Sequence, residues 1–117
     1  MTPKTVQHGR GSLIRAWNLV AETTIDVNNL LGRARTAVPT RTVVDTRRHL
    51  LELTAKISMA IKAPTPQDAA TQIENLGSVL GKLSRGLGAL AAVPEIDSNR
   101  LEVITNRLGE IKKLLFV

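Results

Sequence analysis

The apolar residues of this chain fall four and three apart, and three prolines cut the pattern into four runs. That combination leaves few folds open. In the first run Leu13, Trp17, Val20, Thr24, Val27, Leu31, Ala34 and Val38 keep one seam, which stops at Pro39. A residue before proline avoids the helical region, so the first helix ends there. Ser12 is its expected N-cap. The second run has Val43, Leu50 and Ile57 seven apart with Leu53 and Ala60 between them, and it closes before Pro64. Thr40 is its expected cap.

The third run opens on the clearest local signal in the chain. "TPQD" offers Thr65 as N-cap, Pro66 at the first helical position and Asp68 three residues after the cap. Its seam is Ala69, Ile73, Leu76, Leu80, Leu83, Leu87 and Leu90, ending near Val93 and Pro94. The fourth run reads Leu101, Ile104, Leu108, Ile111 and Leu115. Asp97 or Ser98 caps it, and with Asp97 as cap Ile96 and Leu101 form a hydrophobic staple. Strand signals are absent: there is no sustained period-two alternation and no Asn-Gly or Asp-Gly turn.

Four heptad-patterned helices on short connections predict an all-α chain, an antiparallel up-down-up-down four-helix bundle over residues 12–117. Residues 1–11, polar and containing Pro3, Gly9 and Gly11, read as a flexible tail. One hundred and seventeen residues make one domain. No apolar run approaches the length of about 20 residues that spans a bilayer. The first residues have no apolar signal-peptide region. A soluble, cytoplasmic protein is the expectation, with no membrane partner.

The third helix carries a second periodicity. Ala70, Gly77, Ser84 and Ala91 are seven apart, with Gly81 and Gly88 beside them and Gly86 close by. Each helix-interior glycine costs about 1 kcal/mol relative to alanine. Two readings explain the accumulation. Small residues let another helix of the same bundle approach, or Gly77, Gly81 and Gly88 form an oligomer interface. Ile14, Leu19, Ala21 and Leu30 lie off the main seam of the first helix in the same way. A second apolar stripe suits a homo-oligomer.

Catalytic chemistry is sparse. There is no cysteine, which removes thiol catalysis and cysteine-ligated metals. His8 and His49 have no partner at metal-ligand spacing. The serines have no neighbouring histidine base. "GRGS" at 9–12 lacks the strand and the Gly-Lys-Ser/Thr ending of a phosphate loop. Neither an enzyme nor a metal or other cofactor is expected.

Charge carries the functional signal. The formal net charge is +6 and the pI near 10.5, which favours an anionic partner. The stretch "GRARTAVPTRTVVDTRRH" holds Arg33, Arg35, Arg41, Arg47 and Arg48 against one acid, Asp45. Arg33 and Arg35 complement the C-terminal dipole of the first helix, but Arg41 stands in the first turn of the second, where a cation is unfavourable. Arginine suits bidentate phosphate contacts. Lys82, Arg85, Lys112 and Lys113 form a weaker second set. The plain alternative is a solvated charged face, partly neutralised by Asp45, Glu52, Glu95 and Asp97. With Trp17 and Phe116 the only aromatics, base stacking has little to use, so RNA or DNA would be held by its backbone.

The layout resembles the four-helix-bundle family of Avd, the accessory variability determinant of diversity-generating retroelements, and its relatives encoded in ribosomal intervening sequences. The similarity runs from about Asn28 to Leu115, through "AVPTR", "LLELTAKISMAIKA", "QDAATQIENLGSVLGKLSRGLGAL" and "RLGEIKKLL". The resemblance implies a homopentamer with a basic surface, an accessory protein binding a reverse transcriptase and its nucleic acid. The reading is therefore a non-enzymatic, basic, oligomeric bundle that binds nucleic acid through phosphates and assists a nucleic-acid enzyme. Its rival is a helical assembly or adaptor protein, such as a phage or mobile-element structural subunit, in which the charge only solubilises.

Overall fold

A computed structural model describes residues 9–34 and 36–116 of the chain. Every element in it is helical: α1 Arg10–Arg33, α2 Thr40–Ile61, α3 Pro66–Ile73, α4 Leu76–Ala89, a 3-10 turn Leu90–Ala92 and α5 Ser98–Leu115. There is no strand among the described residues. The elements make four helical arms, with α3, α4 and the 3-10 turn forming the third. The molecule is elongated, 48 × 21 × 20 Å. α1 packs on α2 and α5, α2 packs on α3 and α4, and α4 meets α5, so the arms close a ring around one core.

The third arm departs from the continuous helix expected over 65–93. Its ladder breaks between α3 and α4 at Glu74 and Asn75. Both stay right-handed, at φ −59°, ψ −32° and φ −89°, ψ −4°, so the arm tightens without reversing. Asn75, in the break, and Gly77, two residues on in the first turn of α4, are poor helix formers. The caps match the residues that signalled them. Thr65 Oγ1 accepts from the Asp68 amide at 3.1 Å, with Pro66 in the first turn. Asp97 Oδ1 accepts from the amides of Asn99 at 2.9 Å and Arg100 at 3.3 Å. Ile96 and Leu101, the expected staple, are both buried.

Two helix starts and one end differ from the sequence reading. α1 begins at Arg10 with Gly9 as N-cap, three residues before the expected Ser12 cap, so Gly9–Gly11 do not all belong to a tail. Residues 1–8 lie outside the described residues. α2 starts on Thr40 itself, with Pro39 in the cap position and no capping side chain. α1 stops at Arg33 rather than running to Val38. A turn replaces its last residues, with the Val38 amide donating to the Ala34 carbonyl at 3.1 Å. Ala34 and Val38 remain buried, which is why they continued the seam.

The core is almost wholly aliphatic. Leu50, Leu53 and Ile57 of α2, Leu76, Leu83 and Leu87 of α4, and Ile104, Ile111 and Leu115 of α5 are nearly or fully enclosed. Every seam residue expected in α5 is buried. In α1 the seam is rotated. Ala16 and Thr23 are buried, while Trp17 is 38% exposed and Thr24 half-buried. α1 lies between α2 and α5, so its innermost positions must be small, and the indole is left on the rim. Buried Thr23 satisfies its hydroxyl by donating to the Leu19 carbonyl at 2.7 Å.

Leu51 and Leu53 give a direct test of this placement. Leu53 is fully buried and Leu51 is 70% exposed. In urea denaturation, Leu53→Ala is expected to lose about 2–5 kcal/mol, and Leu51→Ala to stay within about 0.5 kcal/mol of wild type.

Candidate functional site

The arginine-rich stretch folds into the end of α1, the turn 34–39 and the first half of α2. Arg33 is the last residue of α1, exposed, and favourable to that helix's C-terminal dipole. Arg35 lies outside the described residues. Arg41 stands in the first turn of α2, where neither an acid nor a capping side chain is present. Its side chain is 93% exposed, and its Nε lies 4.0 Å from Asp45 Oδ2. Arg48, one helical turn beyond Asp45, donates from Nη2 to Asp45 Oδ1 at 2.5 Å. One carboxylate therefore serves two guanidinium groups.

The other acids expected to neutralise this corner do not reach it. Asp97 is committed to capping α5 and to Arg100, 3.7 Å away. Glu52 and Glu95 are exposed and form no ion pair among the described residues. Arg33 has no carboxylate partner among them either. The excess of cations read from the sequence survives folding.

Arg47 is set apart from Arg41 and Arg48. At about 100° per residue, it stands roughly a quarter-turn or more around α2 from both. Its Nε donates to Asn28 Oδ1 of α1 at 3.0 Å. Arg47 thus turns toward the α1–α2 groove while Arg41, Asp45 and Arg48 share the outer side of α2. Adjacent arginines at 47 and 48 look equivalent in sequence, and only the packing of α2 on α1 separates them.

The second basic set is scattered. Lys82 and Arg85 stand on α4, Lys112 and Lys113 in the last turn of α5, all four exposed and without an ion pair among the described residues. The last two are also explained by the α5 C-terminal dipole.

The three glycines expected at an oligomer interface have different surroundings. A Cβ on Gly77 would meet the Phe116 ring of its own chain at 3.9 Å, and on Gly81 only Arg85 Nη1 of its own helix at 3.9 Å. A Cβ on Gly88 would meet nothing within 4 Å. The close-approach explanation applies at Gly77 alone, and there the distance is ordinary van der Waals contact.

Two features escaped the sequence reading. Arg107 of α5 forms an ion pair with Asp26 of α1, Nη1 to Oδ2 at 2.5 Å, with Arg107 only 20% exposed. Eighty-one residues separate the two, and no local pattern links them. The second is the extent of the exposed apolar surface. Of the residues lying off the α1 seam, Ile14 is exposed but Leu30 is buried, and Ile25 of α1 and Leu51 of α2, not singled out in the sequence, stand furthest from the core. Among the described residues, no group of three or more His, Cys, Asp or Glu could hold a metal ion. No helix is long and apolar enough to cross a membrane.

No family model, curated protein or solved structure matches the chain.

Gly88 distinguishes a free surface from a subunit contact. Gly88→Ala is expected to raise stability in urea by up to about 1 kcal/mol and to leave the mass by light scattering unchanged. A fall in assembly size would place Gly88 in an interface.

Proposed function

We propose that this chain is a non-enzymatic accessory protein that binds RNA or DNA through backbone phosphates, with Arg33, Arg41 and Arg48 as its main contacts. The observation that carries the reading is the sharing of Asp45: two guanidinium groups, one almost fully exposed, lean on a single carboxylate at a helix start that lacks any acid or cap. Such a corner is relieved by an outside anion. Phosphates supply both the charge and the paired oxygens that arginine recognises. With one tryptophan and one phenylalanine in the whole chain, the contact is electrostatic and indifferent to base sequence.

The arms in this proposal run up-down-up-down, as an antiparallel bundle. Asn28 opposite Arg47 and Asp26 opposite Arg107 support that course, as do the short connections 34–39 and 62–65. It brings the 34–39 and 90–97 connections to one end of the molecule, beside Arg33 and Arg41. The same four-arm layout and basic charge are what the chain shares with the Avd-like family, in which the enzyme assisted is a reverse transcriptase and the assembly a pentamer. A cytoplasmic location, where such a complex works, goes with this reading.

The assembly or adaptor reading also has an observation in its favour. Ile25 and Leu51 are 62% and 70% exposed, more than a solitary bundle needs to leave outside.

Binding to a labelled structured RNA and to duplex DNA, titrated across salt, tests the proposal. The logarithm of affinity is expected to fall linearly with the logarithm of salt, with a slope of several phosphates. Arg41→Ala with Arg48→Ala is expected to weaken binding equally for all sequences and reduce the slope by about two. Asp45→Asn is expected to tighten binding, since it removes the carboxylate that pairs with Arg41 and Arg48 among the described residues. No binding near 50 mM salt, or wild-type affinity in the double variant, would favour the assembly reading.

A further inference from the structure

The groove between α1 and α2 is the strongest feature left over. It is a cavity of about 280 Å³ walled by Thr24, Asn28, Arg47, Leu51 and Thr54, with Leu50 as its floor. Leu50 is 1% exposed and belongs to the core, whereas Leu51 is 70% exposed and rises beside the opening. The Thr24 and Thr54 hydroxyls donate to the carbonyls of Val20 and Leu50 in their own helices, at 2.8 and 2.9 Å. The two threonine hydroxyls are therefore satisfied within their own helices and leave the polar character of the groove to Arg47 and Asn28.

One end of the groove is charged in a specific way. Arg47 uses Nε on Asn28, which fixes the plane of its guanidinium. Its two terminal nitrogens have no partner among the described residues, and no acid forms an ion pair with it there. With Nε occupied, an end-on fork remains, shaped for one carboxylate. Below the groove, Ile14, Trp17, Ala21 and Ile25 follow one another three, four and four residues apart along α1 and so share a face. Ile14, Trp17 and Ile25 are 44%, 38% and 62% exposed.

We infer that this surface docks an amphipathic helix of an acidic partner protein, its apolar stripe along Ile14–Ile25 and Leu51 and a carboxylate on Arg47. Charge complementarity selects that occupant. The residues lining the groove include one cation, Arg47, and no acid, on a chain of net charge +6. The exposed acids Glu22 and Glu52 border the surface without pairing with Arg47. A second copy would bring a second chain of net charge +6, with the same acid-free groove, against the first. A bilayer would meet a groove lined by a charged guanidinium and polar Asn28, Thr24 and Thr54 rather than a continuous apolar ridge. From Ile14 to the level of Asn28 is about 21 Å of helix, so a partner helix of about four turns covers it. The inference uses a different cation from phosphate binding: Arg47 is held on Asn28, whereas Arg41 and Arg48 share Asp45.

Trp17, the only tryptophan, reports on the surface directly. The test titrates the protein with a synthetic alanine-based helix of about 20 residues, carrying leucines at the spacing of the stripe and glutamates one turn beyond. A matched peptide with lysine for glutamate, anionic phosphatidylglycerol vesicles and a structured RNA are the other arms. Expected are a saturable blue shift of Trp17 emission with the glutamate peptide and none with the lysine peptide. Arg47→Ala is expected to weaken the dissociation constant about tenfold, and Leu51→Ser to weaken it at least as much. Both positions are exposed, and circular dichroism checks that the variants stay folded. Four results overturn the inference: no saturable shift at millimolar peptide; equal binding of the lysine peptide; a shift that rises with the protein's own concentration and doubles its mass; or vesicles or RNA producing the shift or displacing the peptide.

Discussion

Everything in this molecule depends on burying four aliphatic stripes against one another without aromatic filler. Leu, Ile, Val and Ala side chains make up the apolar core, with Thr23 and Thr46 buried among them and Phe116 packed at its edge, and their burial is the main favourable term in folding. An aliphatic core of this width fixes how closely the arms approach, and so which residues are pushed to the rim. α1, wedged between α2 and α5, turns Ala16 and Thr23 inward and leaves Trp17 outside. α2, packed on α1 and on the third arm, turns Arg47 toward α1 and leaves Arg41 and Arg48 on its open side. The separation of two arginine sites is a consequence of core geometry.

Local electrostatics then decides what each arginine is free to do. Arg107 is mostly enclosed and paired with Asp26, so it ties α5 to α1. Arg100 is held by the cap residue Asp97. Arg48 and Arg41 share Asp45, and Arg47 is oriented by a neutral amide that removes none of its charge. The graded supply of carboxylates, not the count of arginines, separates structural cations from those open to a partner.

Much of the fold was legible in the sequence because it rests on short-range rules. The seams of α4 and α5 and the Thr65 and Asp97 caps follow from spacing and from side-chain oxygens within reach of orphan amides. The α1 seam was misread at Trp17 and Thr24. A heptad assigns one neighbour to a helix, and α1 has two, so its inner face is broader and centred elsewhere. The break at Glu74–Asn75 does not show in the seam, because Ile73 and Leu76 keep the three-residue spacing across it and both are buried. For the site, the excess of arginine was plain from composition. The turning of Arg47 away from Arg48, the Asp26–Arg107 pair and the groove beside Leu51 all required knowing which helices touch.

The central claim is that Arg41 and Arg48 are held outside the bundle for phosphate, on a side distinct from Trp17 and Arg47. Side-chain NMR signals report on each group separately. On adding a structured RNA at low salt, the account expects the Nε–H signals of Arg41 and Arg48 to shift and to return as salt is raised. The Trp17 indole and Arg47 Nε–H signals are expected to stay in place. Movement of Trp17 and Arg47 with Arg41 and Arg48 unchanged would contradict it and put the nucleic acid, if anything, in the groove.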